Sequence, residues 1–419
     1  MGRFDWLLHR IVASYWLLPV LAVLASPVFA IGAVLLDRAG ATDWLLARDL
    51  APVATADTAK DLVSVAVGVN VALATLYFSA TLLVLTVASS NLGVRLVDRW
   101  LDKGLVRISF MGLSFTLIFS LVALAAIDAQ ASLADTPLLT VAIVVALQAI
   151  NLAMLTVALH DLGRTIFVDR SVHQLGREAT SGPAHIVSGM GFGGPWAMTV
   201  RSPREGYVEG NDLNRLARLL RHHDGKVRVC AAPGRHVLAG EPLLQLENPL
   251  AGTDALCDAI SIGDFRSNAQ GAVFQIRLLV EIAARALSPA VNDFYTALAA
   301  CDRLAAAMAG QSDKWVDSGN IAVFSGDRRI ELHGQDFAGL FDAPLDALRQ
   351  AARTYPTVST RMIDNYRRLI VEYADDGPEE LRQFWRNKAR DLAQHAQMHC
   401  EFDGDKRAIA TALARLPES

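Results

Sequence analysis

The sequence predicts an α-helical membrane domain of four transmembrane helices followed by a cytoplasmic α+β domain, which has a small hammerhead-like β barrel and a helical remainder. Three observations support this fold class: four long apolar segments, an uneven distribution of basic loops, and ordinary soluble composition after about residue 160. The apolar segments are Tyr15–Leu36, Leu62–Val87, Val106–Ile127 and Pro137–Leu159. Each approaches or exceeds the roughly 20 residues with which an α-helix crosses about 30 Å of hydrocarbon.

The basic residues predict the orientation of these helices. The loop between the second and third segments holds Arg95, Arg99, Lys103 and Arg107, whereas Asp128–Thr136 contains no Lys or Arg. Short loops that are rich in Lys and Arg stay in the cytoplasm. We therefore expect cytoplasmic N- and C-termini, and helices that contact the lipid bilayer.

Changes in composition divide the chain into three predicted parts. These are a four-span transmembrane domain (1–160), a juxtamembrane and β-rich hammerhead-like subdomain (161–255), and a mostly helical cytoplasmic subdomain (256–419). In Gly206–Leu246, alternating apolar residues and glycine turns are similar to the hammerhead half of lipoyl and biotinyl domains. The lysine hairpin that carries the cofactor in those domains is missing, so the similarity implies a shape and no cofactor.

Apolar spacing predicts the helices of the remainder. A short helix is expected after a cap at Asn211 or Asp212. The later helices are predicted at Ala272–Ala286, Phe294–Met308, Pro344–Arg353, Thr357–Tyr373, Pro378–Cys400 and Asp405–Leu416, and a hairpin at Ile321–Ser325 and Arg328–Leu332.

A glycine-rich segment, Ser188–Pro195, invites comparison with phosphate-binding loops. No clear strand precedes it in the sequence, and Pro195 and Trp196 follow it in place of a helix, so the context of a dinucleotide-binding loop is missing. We expect a plain loop.

The second apolar segment carries a stripe of small and hydroxyl-bearing residues. At 100° per residue, Gly68, Thr75, Ser79, Thr86 and Ser90 fall within about 60° of one another. Such a stripe is expected either to line a water-filled path or to pack against another helix, because small residues and hydroxyls stabilise contacts between membrane helices. Thr75, Ser79, Thr86 and Ser90 are therefore the candidate pore-lining residues.

Three amides also lie within apolar segments. Asn70 is on another face of the second segment, and Gln148 and Asn151 are in the fourth. Because buried amides are costly unless they are paired, we expect hydrogen bonds between helices; a hydrated cavity is the alternative.

The segment Arg285–Thr296 is the most unusual part of the soluble sequence. Ser288 before Pro289 fits a helix N-cap, and Asp293 fits the cap of the next helix. The alternative is that Ser288, Asn292, Asp293 and Thr296 contact a ligand, an ion or a neighbouring subunit.

Composition and motifs argue against several classes of protein. A net charge of −4 gives no sign of nucleic-acid binding. The four cysteines lie in the soluble part without a short metal-ligand spacing, which indicates reduced thiols and no metal site. Neither a Ser/His/Asp constellation nor a Walker loop is present. We expect no cofactor, no metal and no enzymatic activity.

The chain resembles the bacterial family of predicted membrane proteins known as domain of unknown function 2254. The resemblance is carried by Val87–Arg95, by Gly206–Leu246, and above all by Arg285–Asp293 with Thr296 and Asp302-Arg303. Relatives tend to have glutamine-phenylalanine-serine-proline where Asn91–Val94 stands, and proline where Phe294 stands. The family implies a topology in the inner (plasma) membrane of a bacterium and no activity.

The predicted function is a homo-oligomeric channel, or a channel-like protein, whose cytoplasmic module assembles or gates it. Four helices per chain are too few to enclose a wide pore, so a path for a small ion or solute requires several copies. The alternative is a non-conducting scaffold or sensor that presents the soluble module to partners.

Overall fold

The computed structural model describes residues 17–92, 104–165, 168–180, 185–266, 268–373 and 377–417. They form two compact units. The membrane unit comprises residues 17–90 and 104–165, and the soluble unit comprises residues 168–417.

The membrane unit contains the four predicted apolar helices. They are α1 (Leu17–Leu36), which continues through a π-helical turn (Asp37–Ala41) into the short α2 (Thr42–Leu46), then α3 (Ala56–Leu92), α4 (Gly104–Ala126) and α5 (Leu138–Thr165). All four are long and apolar enough to cross a membrane. The first helical stretch extends to Leu46, beyond the predicted end at Leu36, because the π-helical turn, in which Gly40 has φ 111°, connects α1 to α2.

Close packing in this unit depends on small residues of α1. The buried residues of α1 are Ala22, Ser26, Ala30 and Ala33, which share one face of the helix. The most extensive contacts of α1 are with α4. Small side chains let two backbones approach each other, which is how membrane helices gain dispersion energy. The sequence had drawn attention to a small-residue stripe on α3, but the buried stripe belongs to α1.

The soluble unit is built on two sheets. The nine strands are β1 (Ile186–Gly189), β2 (Met198–Arg201), β3 (Gly206–Asn211), β4 (Val227–Val229), β5 (His236–Val237), β6 (Pro242–Leu246), β7 (Ile260–Gly263), β8 (Ile321–Phe324) and β9 (Asp327–Leu332). One sheet has the order β1-β8-β9-β4-β6-β2, and the other has the order β5-β3-β7. Within the described residues neither sheet closes into a barrel, so the predicted hammerhead barrel is not confirmed.

The six-stranded sheet combines distant parts of the chain. The predicted hairpin is confirmed as β8 and β9, and β9 pairs in parallel with β4, with Val227 opposite Ile330. The sheet therefore takes strands from both sides of residue 256. Its apolar face and the smaller sheet share one hydrophobic core. The buried residues of this core include Val229, Leu244 and Ile330.

The glycine-rich segment has a local context that the sequence did not reveal. Strand β1 ends at Gly189 and so leads directly into the loop, where we had expected no strand. The strand was missed because its pairing with β8 is long-range. Among the described residues, the loop is followed by strand β2 and not by a helix.

Nine helices complete the soluble unit as the structure describes it. They are α6 (Val168–Thr180), α7 (Leu213–Leu219), α8 (Asp254–Cys257), α9 (Ala272–Ala286), α10 (Phe294–Gly310), α11 (Phe337–Ala352), α12 (Pro356–Glu372), α13 (Glu379–His399) and α14 (Asp403–Ala414). The predicted helices are confirmed with one clear difference in bounds. Helix α11 begins seven residues before Pro344, because Asp336 caps it by accepting a hydrogen bond from Gly339 N (3.0 Å).

Candidate functional site

The stripe on α3 faces away from the other described helices of the membrane unit. Thr75, Ser79 and Thr86 are exposed, whereas Asn70 and Tyr77 are buried. At 100° per residue, the centre of the stripe is about 180° from the buried face. The stripe therefore makes no packing face within the four-helix unit. Contact between copies, and the lining of a path, stay predictions.

Two hydroxyls of the stripe are satisfied as donors by their own helix. Thr75 Oγ1 donates to Val71 O (2.9 Å), and Thr86 Oγ1 donates to Leu82 O (2.8 Å). Each oxygen thus keeps its lone pairs as acceptors on the outward face. The side chain of Ser90 lies outside the described residues.

One turn of α4 accepts hydrogen bonds from three other helices. Asn70 Nδ2 of α3 donates to Leu113 O (2.9 Å), and Asn151 Nδ2 of α5 donates to Gly112 O (3.4 Å). Ser26 Oγ of α1 donates to Phe115 O (2.7 Å). Together with Gln148 Nε2, which donates to Ala66 O (2.5 Å), these contacts confirm that the buried amides bond between helices.

Gly112 makes this arrangement possible. A Cβ atom at this position would lie 2.7 Å from Met154 Cε and 2.9 Å from Asn151 Oδ1. The absence of a side chain therefore lets α5 approach α4 closely enough for the amide of Asn151 to reach the Gly112 carbonyl.

Several buried polar atoms in this unit have no hydrogen-bond partner among the described residues. They are the amide oxygens of Asn70 and Gln148 and the hydroxyls of Thr81, Thr116 and Ser120. Unpaired polar groups of this kind cost free energy in an apolar interior. The interior of the membrane unit therefore contains polar atoms that the high mean hydropathy of its helices does not reveal.

Asp37, which directly follows α1, forms hydrogen bonds with the N-terminus of α5. Its carboxylate accepts hydrogen bonds from Leu139 N (2.8 Å), Thr140 N (3.0 Å) and Thr140 Oγ1 (2.7 Å), and also from Thr42 Oγ1 (2.8 Å). The side chain is 6% exposed. A carboxylate at a helix N-terminus satisfies free N–H groups and stabilises the positive end of the helix dipole. The sequence placed Asp37 in a loop, since a cap supplied by a distant segment leaves no local pattern.

The segment from Ser288 to Thr296 connects α9 to α10. Asp293 is the N-cap of α10: Oδ1 accepts from Thr296 N (3.1 Å) and Oδ2 accepts from Thr296 Oγ1 (2.6 Å). Thr296 is buried, and Asn292, at φ 50°, lies 3.4 Å from Tyr355 Oη, which donates to its Oδ1. Whether these residues also contact a ligand or a subunit stays a prediction.

Ser288 does not cap a helix of its own, which corrects the interpretation from sequence. Its carbonyl oxygen accepts from Val291 N (3.1 Å) and Asn292 N (2.9 Å), so Ser288 closes a tight turn after α9. Pro289 then terminates the preceding helix, because proline cannot continue the ladder of hydrogen bonds.

A buried glutamate anchors the glycine-rich loop to the six-stranded sheet. Glu331 of β9 is 1% exposed; it accepts from Phe192 N (2.6 Å) and pairs with Arg228 Nε (3.0 Å). The Arg228 guanidinium lies 4.8 Å from the centre of the Trp196 ring, which contacts Phe192. The loop is thus fixed by a charged group that the sequence did not single out.

A groove of about 470 Å³ lies beside the end of the β8–β9 hairpin and the start of α11. Its polar lining includes His333, Asp336 and Asp342. Asp336 is engaged as the cap of α11, and Asp342 pairs with Lys388 (2.5 Å). Both carboxylates thus have structural partners.

The cysteines differ in accessibility. Cys301 and Cys400 are buried, whereas Cys230 and Cys257 are partly exposed. Burial and the nearby Asp302 raise the pKa of the Cys301 thiol to about 12. Cys301 therefore stays protonated and unreactive at neutral pH.

These features define a membrane protein with four apolar helices and a mixed α/β soluble part. The chain belongs to the DUF2254 family of predicted membrane proteins, whose family model matches residues 12–368. The resemblance seen in the sequence is thereby confirmed. No match is found among the curated proteins or among the solved structures.

Proposed function

We propose that the protein functions as a homo-oligomeric, channel-like membrane protein in which the outward stripe of α3 faces the same stripe of other copies. The observation that carries the proposal is the position of Thr75, Ser79 and Thr86 in the middle of the exposed face of α3. A hydroxyl stripe directed away from the other described helices of the membrane unit is available to line a path formed between chains.

The hydrogen bonds between the helices of one chain favour a path between copies over a path through a single chain. The amides of Asn70, Gln148 and Asn151 are bonded across helices. These bonds fix the helices to one another at the level where a path through a single chain would have to open. A passage between copies leaves them intact.

The chemistry of the stripe suits a cation or water. Because Thr75 and Thr86 donate to carbonyls of their own helix, the oxygens that remain on the surface are acceptors. Oxygen acceptors replace water around hard cations. The permeant class we propose is therefore a small cation.

The second candidate function is a non-conducting scaffold or sensor. Its support is the apolar character of the flanking residues: Leu76, Leu82 and Leu83 on the same outward face are 52%, 60% and 66% exposed. A face of this composition is also stable against lipid, in which case the stripe has no contact with water.

The orientation we propose places the soluble unit in the cytoplasm of a bacterium, below its inner membrane. The support is the distribution of Lys and Arg between the two loops described above.

Accessibility to a charged thiol reagent tests the proposal. Ser79→Cys is prepared in a background in which the partly exposed Cys230 and Cys257 are serine, and the protein is labelled in native membranes. We expect modification of Ser79→Cys and protection of Leu152→Cys, a control on α5 whose native side chain is 57% exposed. Thr75→Cys and Thr86→Cys should behave like Ser79→Cys.

Flux measurements separate the two functions. In liposomes, Thr86→Trp should abolish cation flux while the oligomer keeps its size, because a large side chain fills a narrow path. Protection of all three stripe cysteines together with an absence of flux from the unmodified protein would replace the channel by the scaffold.

A further inference from the structure

Two arginines of the soluble unit contact adjoining residues at the three-stranded sheet: one contacts Tyr207, and the other contacts Gly234, whose N–H donates to Val208 O (2.7 Å). Arg266 follows β7, and its guanidinium carbon lies 5.1 Å from the centre of the Tyr207 ring on β3. Arg277 is in the second turn of α9, and its Nη1 donates to Gly234 O (2.7 Å). Both side chains are partly buried.

In the part of the chain that the structure describes, neither arginine forms an ion pair with a carboxylate. Among the described residues, no carboxylate oxygen lies within 4.0 Å of either guanidinium. The neighbouring arginines differ, since Arg204 pairs with Asp264 (3.0 Å) and Arg235 pairs with Glu241 (3.7 Å). Arg266 and Arg277 are thus two positive charges that no carboxylate of the described residues pairs with at this distance.

The two charges also affect each other. Burial lowers the pKa of the Arg277 guanidinium, and the charge of Arg266 lowers it further. Arg266 Nε is a buried donor with no acceptor among the described residues. Partial burial of like charges is unfavourable unless an opposite charge compensates for it.

A third polar group near β3 lacks a partner. Gln270 lies on the 3₁₀ turn Asn268–Gln270, which contacts β3, and its side chain is 5% exposed. Among the described residues, neither its Nε2 nor its Oε1 has a hydrogen-bond partner. A buried amide is ordinarily satisfied, so a missing partner on the turn that contacts β3 agrees with a ligand.

We propose that Arg266 and Arg277 form a binding site for a phosphate group. Guanidinium groups bind phosphate oxygens through paired, charge-assisted hydrogen bonds. The Tyr207 ring positions Arg266, and the Gly234 carbonyl positions Arg277 while leaving its other N–H groups available. The source is either free phosphate or a phospholipid headgroup; the exposed Phe265, next to Arg266, provides an apolar contact for the latter.

Binding to the full-length protein in detergent tests this site. The probes are inorganic phosphate and dioctanoyl phosphatidylglycerol, at constant ionic strength, with dioctanoylglycerol as the control that lacks phosphate. We expect at least one phosphate-bearing probe to bind saturably and dioctanoylglycerol not to bind. Binding of phosphatidylglycerol alone identifies a lipid headgroup as the ligand. Binding of both probes identifies the phosphate group itself.

Matched variants assign the site. Arg266→Gln and Arg277→Gln should each weaken binding about tenfold or more, since a charge-assisted pair is lost. Arg204→Gln, which removes an arginine already paired with Asp264, should leave binding unchanged. If Arg277→Gln does not fold, Arg277→Lys should fold and bind more weakly than the wild type. Equal binding by the wild type and both Gln variants, or no binding of either probe by the wild type, overturns the proposal.

Discussion

Asn70 of α3 donates a hydrogen bond from Nδ2 to the backbone carbonyl of Leu113 in α4 (2.9 Å), while its Oδ1, in a fully buried position, has no partner among the described residues. The amide thus gains one bond and loses the hydration of its second polar atom. These opposing effects lead to the first prediction.

Asn70→Leu should change the free energy of unfolding by less than about 1 kcal/mol. Hydrogen bonds between membrane helices contribute about 0.6 kcal/mol on average, and leucine removes the unpartnered oxygen together with the donor. Asn70→Asp should be much less stable, because it places an acidic group in an apolar interior. Unfolding in mixed detergent micelles measures both variants, and a loss above about 2 kcal/mol for Asn70→Leu contradicts this account.

Gly112→Ala should destabilise the membrane unit by about 1–3 kcal/mol, the usual cost of overpacking. The added Cβ would lie 2.7 Å from Met154 Cε. Gly32→Ala is the control, since no atom lies within 4 Å of a Cβ there. We expect the control to be neutral or slightly stabilising, as alanine is the better helix former. Unfolding in mixed micelles compares them, and equal stability of the two variants argues against tight packing at Gly112.

Asp293→Ala should lower stability by roughly 0.5–2 kcal/mol, because α10 loses its cap. Asp293→Asn and Asp293→Ser should restore most of the loss, since both side chains accept a hydrogen bond from Thr296 N. Thermal melts of the full-length protein, with oligomer size measured in parallel, provide the test. Normal melting of Asp293→Asn with a changed oligomer size would assign Asp293 to a subunit contact.

Acidification should weaken the packing of α13 against α11. Burial lowers the pKa of His395 below 6.5, and the positive charges of Arg349, His399 and Arg353 lower it further. The unfolded chain then binds more protons than the folded chain, so the contribution of His395 is present above about pH 6.5 and is lost as the pH falls through the folded pKa.

His395→Gln tests this pH dependence. The melting temperature of the variant should fall less than that of the wild type between pH 7.5 and pH 5. His236→Gln, at an exposed position of β5, is the control and should follow the wild type. If the melting temperatures of the wild type and of His395→Gln fall equally between pH 7.5 and pH 5, His395 is not a cause of the loss of stability in acid.

Cysteine labelling tests the orientation. Lys103→Cys should be protected from an impermeant reagent added to intact cells, and Ala131→Cys should react, because only the first lies in a basic loop. The reverse pattern would place the soluble unit outside.

The sequence alone determined the parts of the structure that depend on local chemistry. The apolar segments identify all four long helices, since a span in hydrocarbon requires an uninterrupted apolar run. The bounds of α9 are predicted to the residue, because apolar spacing is a local signal. Asp293 was recognised as a cap because a helix start needs an acceptor at a fixed distance in sequence.

Only the tertiary structure decided which residues meet across long distances in sequence. The outward direction of Thr75, Ser79 and Thr86 depends on which side of α3 packs, and a helical stripe does not state this by itself. Asp37 caps a helix about a hundred residues away. Arg266 contacts Tyr207 on β3, and Arg277 contacts Gly234, whose N–H is bonded to Val208 of the same strand. Such contacts depend on the whole fold, because hydrogen bonds and charge effects act over a few ångströms irrespective of separation along the chain.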